Sequence, residues 1–149
     1  MPNLFPEDGF TIDNVSSDEQ AAHGGSWMFD FEKGDFVREP TNRVAETDAF
    51  TAWVQWCQKV LMTQRYRHLA YSSDYGSEFE DLIGMPYTKA AIESEIQRMA
   101  TEALMVHSYT QAVDNFTFEW TADYVNFTFQ LTSIMGENAH LTYSLEGVI

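Results

Sequence analysis

The run Phe116-Thr117-Phe118-Glu119-Trp120-Thr121-Ala122-Asp123-Tyr124-Val125-Asn126-Phe127-Thr128-Phe129-Gln130-Leu131-Thr132-Ser133-Ile134-Met135-Gly136-Glu137-Asn138-Ala139-His140-Leu141-Thr142-Tyr143-Ser144-Leu145 plays one pattern three times. Phe116, Phe118 and Trp120 alternate with polar residues; so do Val125, Phe127, Phe129 and Leu131, and then Ala139, Leu141, Tyr143 and Leu145. A period of two places alternate side chains on opposite faces of a strand, so each run gives one apolar and one polar face. Thr121-Ala122-Asp123 and Gly136-Glu137-Asn138 supply the connections. The expected product is an antiparallel meander with one face turned to a core.

Upstream, the period changes to that of helices. Phe50, Trp53, Val54, Cys57, Val60 and Leu61 form one stripe over 48–62, with Thr47 as N-cap, Asp48 in the first turn and Trp56 at the stripe's edge. Thr88 opens another helix, in which Ile92, Ile96, Met99, Ala103 and Val106 share a face and Arg98 can pair with Glu95 and Glu102. Before it, Ser77-Glu78-Phe79-Glu80 has the form of a capping box, Ser77 at the cap and Glu80 at its third position, and the short helix stops at Gly84 with Pro86 beyond. Ser72-Ser73-Asp74-Tyr75-Gly76 is turn material, and Gly76 is the residue placed to take a positive φ. Arg65 to Tyr71 is expected as a short strand, as is Ser26–Phe31, where Trp27, Phe29 and Phe31 alternate before a Lys33-Gly34-Asp35 turn. The fold class is therefore α+β: an antiparallel or mixed sheet, two main amphipathic helices and a C-terminal β-meander. Residues 26–149 are expected to form a single domain. Residues 1–25, with Pro2, Pro6, Gly9, Gly24 and Gly25, are expected to be a flexible acidic arm whose Leu4, Phe5, Phe10 and Ile12 can dock on the body or on a partner.

The chain has 149 residues, 44% apolar and 15% aromatic, enough for a core without disulfides. Cys57 is the single cysteine, and its place in the stripe marks it as a small core residue. No run approaches the ~20 apolar residues of a membrane span, and Met1–Asp8 has no secretory-signal pattern. Acids number 23 against 8 Lys and Arg, a net charge of −15 that repels nucleic acid and anionic lipid. All eight cations lie between Lys33 and Arg98; residues 1–25 carry −5 and residues 99–149 carry −6, which favours a partner with a basic surface.

Residues with catalytic potential are few. Glu78 and Asp81, spaced i, i+3, share a helix face as a glycosidase pair would, but acids at a helix start are stabilised there as anions, which opposes the general-acid role. His68 with Ser72, Ser73 and Asp74 has the residue types of a triad without a nucleophile-elbow pattern. His23, His68, His107 and His140 never fall at helical ligand spacing, and Gly24-Gly25 lacks the Lys-Ser/Thr of a phosphate loop. No metal or cofactor is expected. Lys59, Arg65 and Arg67 form the one basic cluster.

The stretch Leu61-Met62-Thr63-Gln64-Arg65-Tyr66-Arg67-His68-Leu69-Ala70-Tyr71-Ser72-Ser73-Asp74-Tyr75-Gly76-Ser77-Glu78-Phe79-Glu80-Asp81-Leu82-Ile83-Gly84 resembles the contractile-tail sheath-initiator family of phage baseplates and phage-tail-like bacteriocins. The Leu-x-Thr-x-Arg-Tyr run, the Tyr-Ser-x-Asp-Tyr-Gly-x-Glu turn and the Asp-Leu-Ile-Gly stop carry the likeness. So does the order of aromatic strand, helix, motif, second helix with Glu102-Ala103-Leu104, Val113-x-x-Phe116 and meander, over roughly 26–145. Arg38-Glu39-Pro40 echoes a family element in altered order, and no role is carried over to it. The resemblance implies a non-enzymatic structural protein of the virion. It is made in the host cytoplasm and sits in the tail baseplate as six copies around the tail tube. It touches baseplate wedge proteins and templates the first ring of sheath subunits by β-strand exchange. Some relatives carry the label tail lysozyme, so peptidoglycan cleavage by Glu78 and Asp81 is the enzymatic alternative; an acidic adaptor unrelated to tails is a third.

A template needs an open strand edge, and the last alternating segment has neither lysine nor proline to guard one. The partner-binding candidates are therefore Leu141, Thr142, Tyr143, Ser144 and Leu145, with Arg65, Arg67 and Tyr75 of the motif. Gly76, Ser77, Glu80 and Gly84 are expected to hold the motif's shape.

Overall fold

The structure, a computed structural model, describes residues 25–148; the arm expected at 1–25 lies, but for Gly25, outside the described residues. The described chain opens with a small hairpin, β1 (Phe29–Asp30) and β2 (Asp35–Phe36). Helix α1 (Ala49–Met62), a 3-10 helix (Phe79–Leu82) and helix α2 (Lys89–Met105) follow. Strands β3 (Thr110–Trp120), β4 (Tyr124–Ser133) and β5 (Asn138–Glu146) complete the chain as an antiparallel sheet in the order β3-β4-β5. The class is α+β, as the alternating and helical periods require.

One core joins these parts. Trp53, Cys57, Val60 and Leu61 of α1, Ile92, Ile96, Met99, Ala100, Ala103 and Leu104 of α2, and Val125, Phe127, Phe129 and Leu131 of β4 are buried together. Removing each large apolar side chain from water is worth about 1.5–3 kcal/mol. Phe79 of the 3-10 helix meets Phe127 edge-on at 5.5 Å and Tyr143 at 5.6 Å, which fastens the motif to the sheet. The buried Trp53 donates its indole N–H to Thr110 Oγ1 at 2.8 Å, so no polar atom is orphaned where α1 meets β3.

Both long helices have caps. Asp48 caps α1 by accepting from the Thr51 N–H at 2.9 Å, and Thr88 caps α2 by accepting from the Ala91 N–H at 3.3 Å. The first cap is thus Asp48 and not Thr47, whose hydroxyl is taken by the Ser26 backbone. Val106 is the residue that ends α2 and is half exposed, so it leaves the buried face. The N-terminal strand is shorter than the alternation suggests: Phe29–Asp30 pairs with β2, Trp27 makes an isolated antiparallel bridge to Glu46, and the turn falls at Phe31–Gly34.

Between α1 and the 3-10 helix the sequence expectation fails twice. Arg65 to Tyr71 is not a strand; the only pairing there is one parallel bridge, Gln64 to Ser77. No capping box forms either: the 3-10 helix starts after Glu78 with no side-chain cap, the Ser77 hydroxyl donates to the Leu61 carbonyl at 2.9 Å, and Glu80 is exposed. Both reassignments have one cause. The end of α1 and the stretch 75–77 are drawn together, so Ser77 meets a carbonyl sixteen residues back. Gly76 does adopt φ +109°, and Gly84 φ +76°. A Cβ on Gly76 would stand 2.8 Å from the Arg65 backbone N and 2.9 Å from the Thr63 carbonyl oxygen.

Candidate functional site

The last strand supplies the most distinctive surface. Ser133 N–H donates to the Glu137 carbonyl, and Gly147 N–H to the Asp123 carbonyl. With β4 and β5 paired Phe129 to Leu141 and Thr128 to Thr142, the hydrogen-bonded pairs of this ladder are the odd-numbered ones. The N–H and C=O groups of Asn138, His140, Thr142, Ser144 and Glu146 therefore point away from β4. Among the described residues no backbone group meets them.

Side chains of β5 divide between the two faces. Leu141 and Leu145 are buried and Tyr143 half-buried, packed against Phe79 and Phe127. On the other face Thr142 bonds to Thr128, Ser144 to Asn126, and Asn138 accepts from both Gln130 and Thr132, giving an uncharged polar ladder. The β4–β5 register runs unbroken from Asn138 to Glu146.

The opposite edge differs. Strand β3 has register shifts between Thr110 and Ala112 and between Asp114 and Thr117, with Asn115 at φ +55°. Such bulges twist an edge and spoil it as a pairing template. Its end is also held by α2: Trp120 donates its indole N–H to Glu93 at 2.7 Å, and the Lys89 ammonium lies 5.1 Å from the Trp120 ring centre. Of the two sheet edges, β5 alone is regular.

The motif residues serve the fold. Arg65 is buried; its guanidinium donates to Glu102 of α2 at 3.0 Å and to the Gly76 carbonyl at 3.3 Å, and lies 3.7 Å from Glu78. Glu102 also takes Arg98, which in turn holds Glu95 at 2.9 Å, so one chain of charges ties the loop to α2. Burial opposes the charged form of Arg65, and the hydrogen bond it donates to Glu102 together with the charges of Glu78 and Glu102 outweighs that, so its pKa is raised. Tyr75 stacks on Tyr71 at 4.4 Å and meets Trp56 edge-on at 5.9 Å; burial, with Tyr71 beside it, pushes its phenol up to about 12. Its hydroxyl is sealed from solvent without a well-formed hydrogen bond. Arg67 is exposed and donates to Gln64. Among the described residues no hydrogen bond, ion pair or ring contact joins Arg65, Arg67 or Tyr75 to β5, so the expected docking residues fall into two separate groups.

Glu78 lies 3.7 Å from the Arg65 guanidinium and Asp81 is exposed on the 3-10 helix; neither lines the grooves beside the β1–β2 hairpin. No group of three His, Cys, Asp or Glu among the described residues is arranged to hold a metal. A feature missed in the sequence is a groove of about 740 Å³ between the β1–β2 hairpin and α1, walled by Trp27, Phe29, Phe31, Phe36, Trp53 and Trp56. The signal was present as the 27-29-31 alternation and Trp56 at the stripe's edge. It became a groove because Gln55 ties the hairpin down, accepting from Phe29 N–H at 2.7 Å and donating to the Trp27 carbonyl at 3.2 Å.

Comparison with known proteins agrees with this architecture. A family model described as contractile injection system sheath initiator matches residues 25–136, well over half of the chain. A solved structure from Geobacter sulfurreducens, labelled a tail lysozyme, superposes with a TM-score of 0.57 at 13% identity, covering 67% of this chain and 92% of that one. At that identity the likeness is one of fold. No curated protein matches the chain.

Proposed function

This chain belongs to the sheath initiator family of contractile injection systems, and on that premise we propose that it is a non-enzymatic baseplate protein whose β5 edge accepts a strand from the first sheath subunit. The observation that carries the reading is the contrast between the two sheet edges: β3 is bulged and braced by α2, whereas β5 is straight, unguarded and regular over its whole length. An incoming strand gains main-chain hydrogen bonds from the outward groups of Asn138, His140, Thr142, Ser144 and Glu146, each bond worth about 0.5–1.5 kcal/mol net. Backbone bonding is generic, so selectivity falls to charge. Residues 99–149 contain acids and no Lys or Arg, which favours a strand from a basic partner and repels acidic ones, including further copies of this chain.

Residue-resolved amide exchange tests the assignment. Adding the sheath subunit should slow exchange at the even positions from 138 to 146 and leave the odd ones, already paired with β4, unchanged. Protection confined to β3 would overturn it. The structural reading of Glu78 is supported by its place 3.7 Å from the buried Arg65 guanidinium. Incubation of the purified protein with cell walls should release no soluble glycan fragments; fragments that vanish in Glu78→Gln would restore the enzymatic reading. Contacts with wedge proteins and the tail tube, six copies per baseplate, and a place in the virion follow for this chain if the family role holds.

A further inference from the structure

Main-chain bonds along β5 repeat every two residues, so they hold an incoming strand in several registers without choosing one. Resting on the β5 reading, we propose that Ile83 and Met85 are the seat of an apolar side chain at the end of that strand, flanked there by lysine or arginine, and that this seat selects the register.

The chain that follows the 3-10 helix crosses the end of the sheet. At β5 the Gly84 N–H donates to the Gly147 carbonyl at 3.3 Å, and on the far side the Lys89 ammonium lies over the Trp120 ring of β3. Ile83 stands at the β5 end of this crossing: a Cβ on Gly147 would be 3.2 Å from its Cγ2. Ile83 is 47% exposed and Met85 45%, although the neighbouring Leu82 is buried. Residues opposite one another on paired strands turn their side chains to the same face. The positions of an incoming strand opposite Leu141, Tyr143 and Leu145 therefore face the core side, and the next such position, opposite Gly147, comes to Ile83. Strand β5 is followed there by a glycine, with no side chain of its own to fill the place. The edge thus ends on an apolar seat that the protein's own strand leaves uncovered.

The surroundings state the chemistry of the occupant. Glu80 and Asp81 of the 3-10 helix, Asp123 and Glu146 are all exposed around this end of the edge. Asp123 accepts the Gly147 N–H through its carbonyl, and Glu80 is near enough to Tyr143 to help burial push that phenol up. Carboxylates around half-exposed aliphatic side chains fit an aliphatic residue flanked by cations and repel an acidic strand. Ile134 and Met135, exposed at the other end of β5, lack that rim: Glu137 is the acid beside them, and it is bonded to Tyr109.

Titration of the full-length protein with the sheath subunit, read by amide exchange at the even positions 138–146, tests this. Ile83→Asp/Met85→Asp should weaken binding about tenfold or more, and the milder Ile83→Ser/Met85→Ser about fivefold, whereas Ile83→Val/Met85→Leu and Met135→Asp should each stay within about twofold. At saturation, a photo-crosslinker placed at Thr142 should mark one residue of the sheath strand in the otherwise wild-type protein and residues two apart in the aspartate pair. Unchanged affinity in both the aspartate and serine pairs, an equal loss in Met135→Asp, or a single cross-linked residue in the aspartate pair would overturn the seat and leave the β5 reading standing. No slowing at the even positions in the wild type would overturn both.

Discussion

Thr142→Pro separates the ladder that holds β5 in the protein from the one it offers outside. Thr142 N–H points away from β4, so proline there removes no bond of the sheet, and edge strands tolerate proline at such positions. The losses within the protein are the exposed hydroxyl contact with Thr128 and a modest shift of φ toward −65°, together about 1 kcal/mol. Leu141→Pro, one residue earlier, deletes a bond to β4 and a buried leucine, about 3 kcal/mol or more. On the open side the order reverses. Proline at 142 sits at the middle of the outward set, where it removes one donor and its ring blocks the neighbouring pairs. Losing two to four bonds costs about 2–4 kcal/mol of docking, roughly a 30- to 1,000-fold loss of affinity. Melting curves for the two variants, followed by electron microscopy of tails assembled with Thr142→Pro, form the assay. The expected result is a folded protein that joins baseplates but leaves tubes without sheath. Full-length sheaths on Thr142→Pro baseplates would refute the reasoning, as would a Thr142→Pro monomer less stable than Leu141→Pro.

Gly76→Val should destabilise by at least about 2 kcal/mol in thermal melts, because left-handed strain adds to a clash with three backbone atoms of Thr63 and Arg65. Glu102→Ala should cost about 1–3 kcal/mol by leaving the buried Arg65 with Glu78, at 3.7 Å, as its one remaining carboxylate beside the Gly76 carbonyl, while Glu78→Gln should cost less than about 1 kcal/mol; equal losses would show that the two carboxylates share the clamp evenly. The Asp48 carboxyl is held below its ordinary 3.8 by the Thr51 hydroxyl and N–H, so its contribution is whole above pH 3.8 and fades as pH falls below that. Asp48→Asn should therefore flatten the stability–pH curve in that acid window alone. Cys57 is fully buried and its thiol is pushed far up by desolvation, so a thiol reagent should label it only as fast as the protein unfolds.

Periodic segments were legible because their signal is local. The stripe of α1, the Thr88 cap, the three strands and the positive φ of Gly76 each depend on residues within a few positions. Long-range partners defeated the rest. Arg65 lies in what reads as a strand, yet its place is set by Glu102, 37 residues on, and Ser77 forgoes its cap for the carbonyl of Leu61. The choice between two sheet edges was also hidden. The irregularity of β3 between Asp114 and Thr117 holds Asn115 in a left-handed conformation, which asparagine permits and sequence does not require. The groove required knowing that Gln55 would seize the hairpin.

The uncharged ladder on the open face of the sheet has a metrological consequence. Thr128–Thr142, Asn126–Ser144 and the Asn138 pair with Gln130 and Thr132 all name specific partners across β4 and β5. A slip of β5 by one residue would break each of them and turn Leu141 and Leu145 out to water. The next permitted alignment is two residues away, about 6.8 Å along the strand. Any strand laid against this edge inherits positions quantised at that spacing, so the edge works as a graduated scale whose zero is fixed by the core.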